Sequence, residues 1–163
     1  MYRLILIFNL LFASFCFCQN SIAEVLKIHN DNTVKYVYPK DLFKQKNTVY
    51  LDARQKKEFD VSHIKNSIYV GFDEFDNASF EKLNIQKNQK IIVYCSLGVR
   101  SEKIAKKLIS FGYTDVSNLY GGIFLWKNEK GTVVDMNDKI TEKVHAFSIK
   151  WGVYLTSGIK VYN

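Results

Sequence analysis

Apolar residues along this chain change their period several times, and each change marks an element. VKYVY (34–38), TVYLDA (48–53), SIYVG (67–71), IIVYC (91–95) and DVSNL (115–119) have the length and apolar content of strands. Helix-like segments separate them. Pro39 opens a helix from Lys40 to about Gln45, at an early position where its missing N–H costs little. RQKKEFDVSHI (54–64) and FDEFDNASFEKLNI (72–85) are helical in pattern. The clearest helix is SEKIAKKLISFGY (101–113). It puts Ile104, Ala105, Leu108, Ile109 and Phe111 on one side and Lys103, Lys106 and Lys107 on the other, with Gly112 placed to end it. IIVYC is continuously apolar, as in a strand buried on both faces. Alternating strands and helices imply an α/β fold: a mostly parallel sheet with helices on both faces. Ligands of such sheets bind at the carboxyl ends of the strands.

The two ends depart from this pattern. Residues 1–18, MYRLILIFNLLFASFCFC, carry Arg3 and then an apolar run from Leu4 to Phe17. The run is short for a membrane span of about 20 residues and reads as a secretory signal peptide cleaved near Cys18. That implies export, periplasmic in a bacterium, with an uncleaved membrane anchor as the alternative. Residues 19–33 are polar and unpatterned and read as a lead-in. Beyond about Asp135, a C-terminal extension (135–163) carries Val144, Phe147, Trp151, Tyr154 and Leu155 in a partly helical spacing. It reads as a helix packed back on the domain, with a partner-docking surface as the alternative.

Composition narrows the class. With 47% apolar and 24% charged residues the chain is an ordinary globular protein. Its formal charge is +7, but the lysines are scattered, which suits a solvated surface rather than a nucleic-acid stripe. Two of the three cysteines lie in the leader, so the mature chain keeps Cys95 alone. This excludes an internal disulfide and a cysteine-cluster metal site.

Cys95 ends the most apolar strand, and YCSLGVRS (94–101) follows the order strand, Cys, x, x, Gly, x, Arg, helix. A chain curling around the sulfur would turn the N–H groups of Ser96, Leu97, Gly98, Val99, Arg100 and Ser101 inward as an anion-binding nest. The following helix would add the positive end of its dipole. Both favour thiolate over thiol. Gly98 permits the tight turn, Arg100 supplies a fixed charge at the rim or braces the loop, and Ser101 caps the helix or donates toward the sulfur.

Four segments in order give the chain a resemblance to single-domain rhodaneses, over about residues 34–130. They are LDAR (51–54) with Glu58 and Phe59 after it, SHIKNSIYV (62–70), the YCSLGVRS loop, and GYTDVSNLYGGIFLW (112–126). Ser62 and Ser67 stand where the family usually has glycine and alanine. The resemblance implies a rhodanese-like α/β fold with a five-stranded sheet. It also implies a sulfurtransferase in which Cys95 takes sulfane sulfur from a small anion such as thiosulfate and passes it, as a persulfide, to cyanide or a thiol. A protein could also accept the sulfur; no cofactor, metal or nucleic acid is called for. Asp52, Arg54, Glu58 and His63 are expected to be structural or to support the loop, and Gly121, Gly122 and Trp126 to close the fold. A non-turnover persulfide carrier is the alternative. A phosphatase or arsenate-type enzyme fits less well: protein-tyrosine-type phosphatases place five residues between cysteine and arginine, whereas Ser96 to Val99 are four.

Overall fold

A computed structural model describes residues 21–45 and 47–162; the expected leader lies outside the described residues. Its first half runs α1 (Ile22–His29), β1 (Tyr36–Val37), α2 (Pro39–Leu42), β2 (Val49–Asp52), α3 (Lys56–Val61), β3 (His63–Ile64), β4 (Ile68–Tyr69), α4 (Asn77–Glu81) and β5 (Ile91–Tyr94). Then come α5 (Val99–Ser110), β6 (Val116–Leu119), α6 (Gly122–Asn128), β7 (Val133–Val134), β8 (Ile140–Thr141), β9 (Lys143–His145), α7 (Ile149–Gly152) and β10 (Ile159–Val161).

Strand β5 is the centre of a five-stranded sheet ordered β1-β6-β5-β2-β4. Every pairing in it is parallel, and the register sets Leu51 beside Val93 and Asp52 beside Tyr94. All four β5 residues are buried, as a strand covered on both faces requires. Their side chains alternate between two cores. Ile91 and Val93 join Phe80 of α4 and Ile104, Ala105 and Leu108 of α5. Ile92 and Tyr94 join Val25 of α1, Leu42 of α2 and the α6 residues Ile123, Phe124 and Trp126. Helices thus cover both faces, as the alternation of patterns requires.

Helix α5 buries Ile104, Ala105 and Leu108 of the stripe read from the sequence; Ile109 is exposed, and Phe111, just past the end of the helix, is half-buried. It ends where Gly112, at φ +87°, donates its N–H to the Ile109 carbonyl (2.9 Å).

The ends required two corrections. Residues 22–29 are a helix rather than an unpatterned lead-in. Ser21 accepts from the Glu24 N–H (3.2 Å) while the Glu24 carboxylate accepts from the Ser21 N–H (2.7 Å), a reciprocal capping box. Val25 and Leu26 of this helix are buried. The C-terminal extension packs against the core, but among its described residues the one helix is the four-residue α7. The rest is short strands and turns. β8 continues an antiparallel sheet ordered β3-β7-β8, and β9 pairs in parallel with β10. Helical spacing of its apolar residues misled because they converge on the core from a strand, a short helix and the segments between and after them. Val144, Ala146 and Leu155 are fully buried there, with Trp151 and Tyr154 packed against them.

If that packing holds the extension down, Leu155→Ala costs about 2–5 kcal/mol in chemical denaturation. A cost within about 0.5 kcal/mol, the usual range for surface sites, would show that the extension is not part of the core.

Candidate active site

The site is the link between β5 and α5, four residues from Cys95 to Gly98. Helix α5 begins at Val99, sooner than the pattern predicts, so its N-terminus lies against the cysteine. Gly98 makes this possible. It takes φ +111°, and a Cβ there would press on the Leu119 carbonyl and on Leu26 at 3.3 Å. The Gly98 N–H points at Cys95 Sγ (3.1 Å). Its carbonyl is held on the opposite side by the side-chain amides of Asn30 (3.0 Å) and Asn118 (2.8 Å). Ser101 Oγ lies 3.5 Å from Sγ and 2.7 Å from Asn118 Oδ1, so its one proton is shared between them.

The outward side of the loop is fixed by α6. The N–H groups of Ile123 and Phe124 donate to the carbonyls of Cys95 (2.9 Å) and Ser96 (3.2 Å). Gly122 is what lets the helix approach: a Cβ there would sit 2.2 Å from the Cys95 carbonyl oxygen. The double glycine therefore holds the loop carbonyls away from the sulfur, a sharper role than closing the fold.

Glu58 is the pivot of the remaining contacts. Its carboxylate is fully buried and accepts from both terminal nitrogens of Arg100 (2.7 and 2.9 Å) and from Ser96 Oγ (2.9 Å). It also accepts from the Gln55 N–H (3.0 Å), at the start of α3. Burial pushes the Glu58 carboxyl up, but the Arg100 hydrogen bonds and charge hold it below the usual carboxylate range. Arg100 is thus both a pocket wall and a brace that ties the loop to α3, and its guanidinium lies over the Phe147 ring at 5.0 Å.

Cys95 is 2% exposed. Burial alone would raise its pKa. The charge of Arg100, the Ser101 hydroxyl and the backbone N–H groups of Ser101 and Gly98 outweigh burial, and the thiol falls below its ordinary value.

The other expected residues sit away from the sulfur. Asp52 and Arg54 form a fully buried ion pair, with Arg54 also donating to the Ser62 carbonyl (2.6 Å). This pair joins the end of β2 to the turn after α3. His63 stacks on Phe59 with ring centroids 3.9 Å apart and donates from Nδ1 to the Phe59 carbonyl (3.1 Å). Among the described residues no cluster of acidic, histidine or cysteine side chains could hold a metal ion.

Above the sulfur lies a pocket of about 150 Å³. The loop and the start of α5 line it with Cys95, Ser96, Leu97, Val99 and Arg100, and both ends of the chain contribute the rest: His29 of α1, and Phe147 and Trp151 of the extension. His29 meets Trp151 edge-on with centroids 6.1 Å apart. These three residues and the two asparagines escaped sequence reasoning. A signal for α1 was present in Ser21-x-x-Glu24 ahead of Val25 and Leu26, the pattern of a capping box before an apolar pair. Phe147 and Trp151 stood out only as apolar positions of the extension, and nothing in the sequence marks Asn118.

Comparison with known proteins agrees with this geometry. The family model for the rhodanese-like domain matches residues 38–129, so the chain belongs to the rhodanese-like domain family. It is 42% identical over 97 residues to a tRNA uridine(34) hydroxylase of Bacillus cereus, a match covering 56% of this chain and 30% of that protein. The corresponding protein of Bacillus thuringiensis is 41% identical over the same length. The chain therefore spans about 30% of the length of these curated relatives. A rhodanese-related protein from Thermoplasma volcanium has a similar structure (TM-score 0.53, 27% identity), covering 61% of this chain and 97% of that one. The thiosulfate sulfurtransferase of Pseudomonas aeruginosa shares the fold (TM-score 0.56, 21% identity) over 63% of this chain and 20% of its own. Neither α1 nor the extension lies within the segment matched by the family model.

The rate of Cys95 alkylation by iodoacetamide should titrate with a midpoint below the ordinary thiol value of about 8.5. The paired variant Arg100→Met with Glu58→Gln, which leaves no buried carboxylate without its cation, should move that midpoint up. An unmoved midpoint would remove Arg100 from the account of the thiolate. In a separate measurement, Asp52→Ala strands the Arg54 charge and should cost about 3–5 kcal/mol in urea unfolding.

Proposed function

We propose that this protein is a sulfurtransferase that carries sulfane sulfur on Cys95. One observation carries the reading. The only cysteine among the described residues sits at the carboxyl end of the central strand, its sulfur 3.1 Å from the Gly98 N–H at the start of α5, with its pKa lowered. Such a thiolate attacks the outer sulfur of a donor such as thiosulfate. The new S–S bond leaves Cys95 as a persulfide, and sulfite departs with the electron pair of the bond that breaks. Cyanide or a thiolate then attacks the outer sulfur of the persulfide and restores the cysteine thiolate. This is covalent catalysis in two displacements. The Gly98 N–H and the start of α5 would stabilise the terminal sulfur charge through groups already in place. Export belongs to the same proposal and rests on residues 1–18 of the sequence alone. A persulfide carrier would share the first displacement and lack rapid turnover.

Incubation with thiosulfate should raise the intact mass by one sulfur atom. The gain should disappear on adding cyanide and be absent in Cys95→Ala. Sustained thiocyanate production distinguishes an enzyme from a carrier. Thiocyanate made equally fast by Cys95→Ala would sink the proposal.

A further inference from the structure

The turn that follows α1 grips the start of α5 at two points. At the first, Asn30 Nδ2 donates to the Gly98 carbonyl (3.0 Å) and to the Tyr36 hydroxyl oxygen (2.8 Å). At the second, the N–H groups of Asp31 and Asn32 donate to the Glu102 carboxylate (3.0 and 3.1 Å). Glu102 sits in the first turn of α5 and is 1% exposed. Its carboxylate also accepts from the Tyr36 hydroxyl (3.1 Å), the shorter of the two acceptor contacts of that group. A chain of contacts thus runs from a buried carboxylate through Tyr36 and Asn30 to the Gly98 carbonyl. Hydrogen bonds in such a chain polarise one another. All of Asn30, Asp31, Asn32 and Tyr36 precede the segment matched by the family model, residues 38–129.

Two observations single out Asn30. It is 9% exposed, and its Oδ1 is buried without a hydrogen-bond partner among the described residues. A buried acceptor left unpaired costs stability, so stability alone is a poor reason for a carboxamide here. What the residue supplies is its nitrogen, aimed at Gly98. The second observation is the peptide bond from Gly98 to Val99, which is trans. The C=O and N–H of a trans peptide point in opposite directions. A Gly98 carbonyl pinned by Asn30 and Asn118 therefore turns the Val99 N–H the other way. That N–H opens α5, where the helix offers it no acceptor, and it has no partner among the described residues. Val99 itself lines the pocket above Cys95.

We infer that Asn30 is a positioning residue for the sulfur of Cys95: by holding the Gly98 carbonyl, it aims the Gly98 and Val99 N–H groups at the negative charge of the thiolate and then of the persulfide. Asn30 touches neither the sulfur nor a substrate and acts through the backbone of the loop. Dipoles held in this way stabilise charge without having to reorient. The persulfide half of the inference rests on the proposed sulfurtransferase reading, and the thiolate half stands without it. Helix α1 and its turn are thereby joined to the chemistry from outside the matched family segment.

The test uses two variants of the full chain. Asn30→Leu keeps the side-chain shape and removes the donor. Tyr36→Phe removes only the hydroxyl that orients Asn30, at a half-buried position. Iodoacetamide alkylation across pH should show the Cys95 midpoint about half a unit higher in Asn30→Leu, with a smaller rise in Tyr36→Phe. The rate of sulfur loading from thiosulfate, followed by intact mass, should fall by about three- to tenfold in Asn30→Leu, the size of one lost hydrogen bond. In amide proton–nitrogen NMR spectra, the Val99 proton should move downfield when wild type is loaded with sulfur, and less so in Asn30→Leu. A purely structural role would lower stability to urea and leave the alkylation midpoint at its wild-type value, and that result overturns the inference. If Asn30→Leu does not fold, an unmoved midpoint in Tyr36→Phe overturns it equally. If wild type takes up no sulfur from thiosulfate, the sulfurtransferase reading fails, and the alkylation midpoints still decide the role of Asn30.

Discussion

The contact on which the site depends is the buried grip of Glu58 on Arg100. A carboxylate with no solvent access is tolerable only when its charge and lone pairs are matched. Here two guanidinium nitrogens, a serine hydroxyl and a backbone N–H supply that match. The result ties the loop after β5 to the first turn of α3, elements far apart in the chain. It also fixes Arg100 at the distance where its charge still reaches the sulfur, so one ion pair serves both the shape of the loop and the state of the thiol.

Around that grip the backbone is pulled in opposing directions. Asn30 and Asn118 draw the Gly98 carbonyl outward, and the first turn of α6 draws the carbonyls of Cys95 and Ser96. With those carbonyls engaged elsewhere, the N–H groups of Gly98 and Ser101 are what act on the sulfur. Fixed dipoles stabilise charge without reorganising when it moves, so the glycines at 98 and 122 act on the chemistry by allowing close backbone approach.

Much of this was legible in the sequence because it obeys local rules. The continuous apolar run of β5, the amphipathic stripe of α5 and Pro39 at the first position of α2 each follow from periodicity or backbone sterics. The loop announced itself through the spacing of Cys95, Gly98 and Arg100. What stayed hidden is non-local. The role of Asn118 depends on β6 lying beside β5, and Glu58 gains its meaning from a residue 42 positions away. The extension was read as a helix because Val144, Trp151 and Leu155 are spaced like one. Tertiary packing drew them instead from a strand, a short helix and the segment after it into a common core. Helix α1 was missed for a different reason: its capping box was local, but only two buried residues follow it.

The edge-on contact between His29 and Trp151 has a consequence for how the molecule comes into being. The two residues are roughly 120 positions apart, so bringing them together closes nearly the whole described chain on itself. Such contacts are slow relative to neighbouring helix and strand pairings. During synthesis the central strand and its cysteine emerge well before residue 151, and the thiol has no aromatic roof until the last segment is made and docked. The aromatic side of the pocket is therefore a late product of assembly, completed only after the cysteine and its helix are already in place.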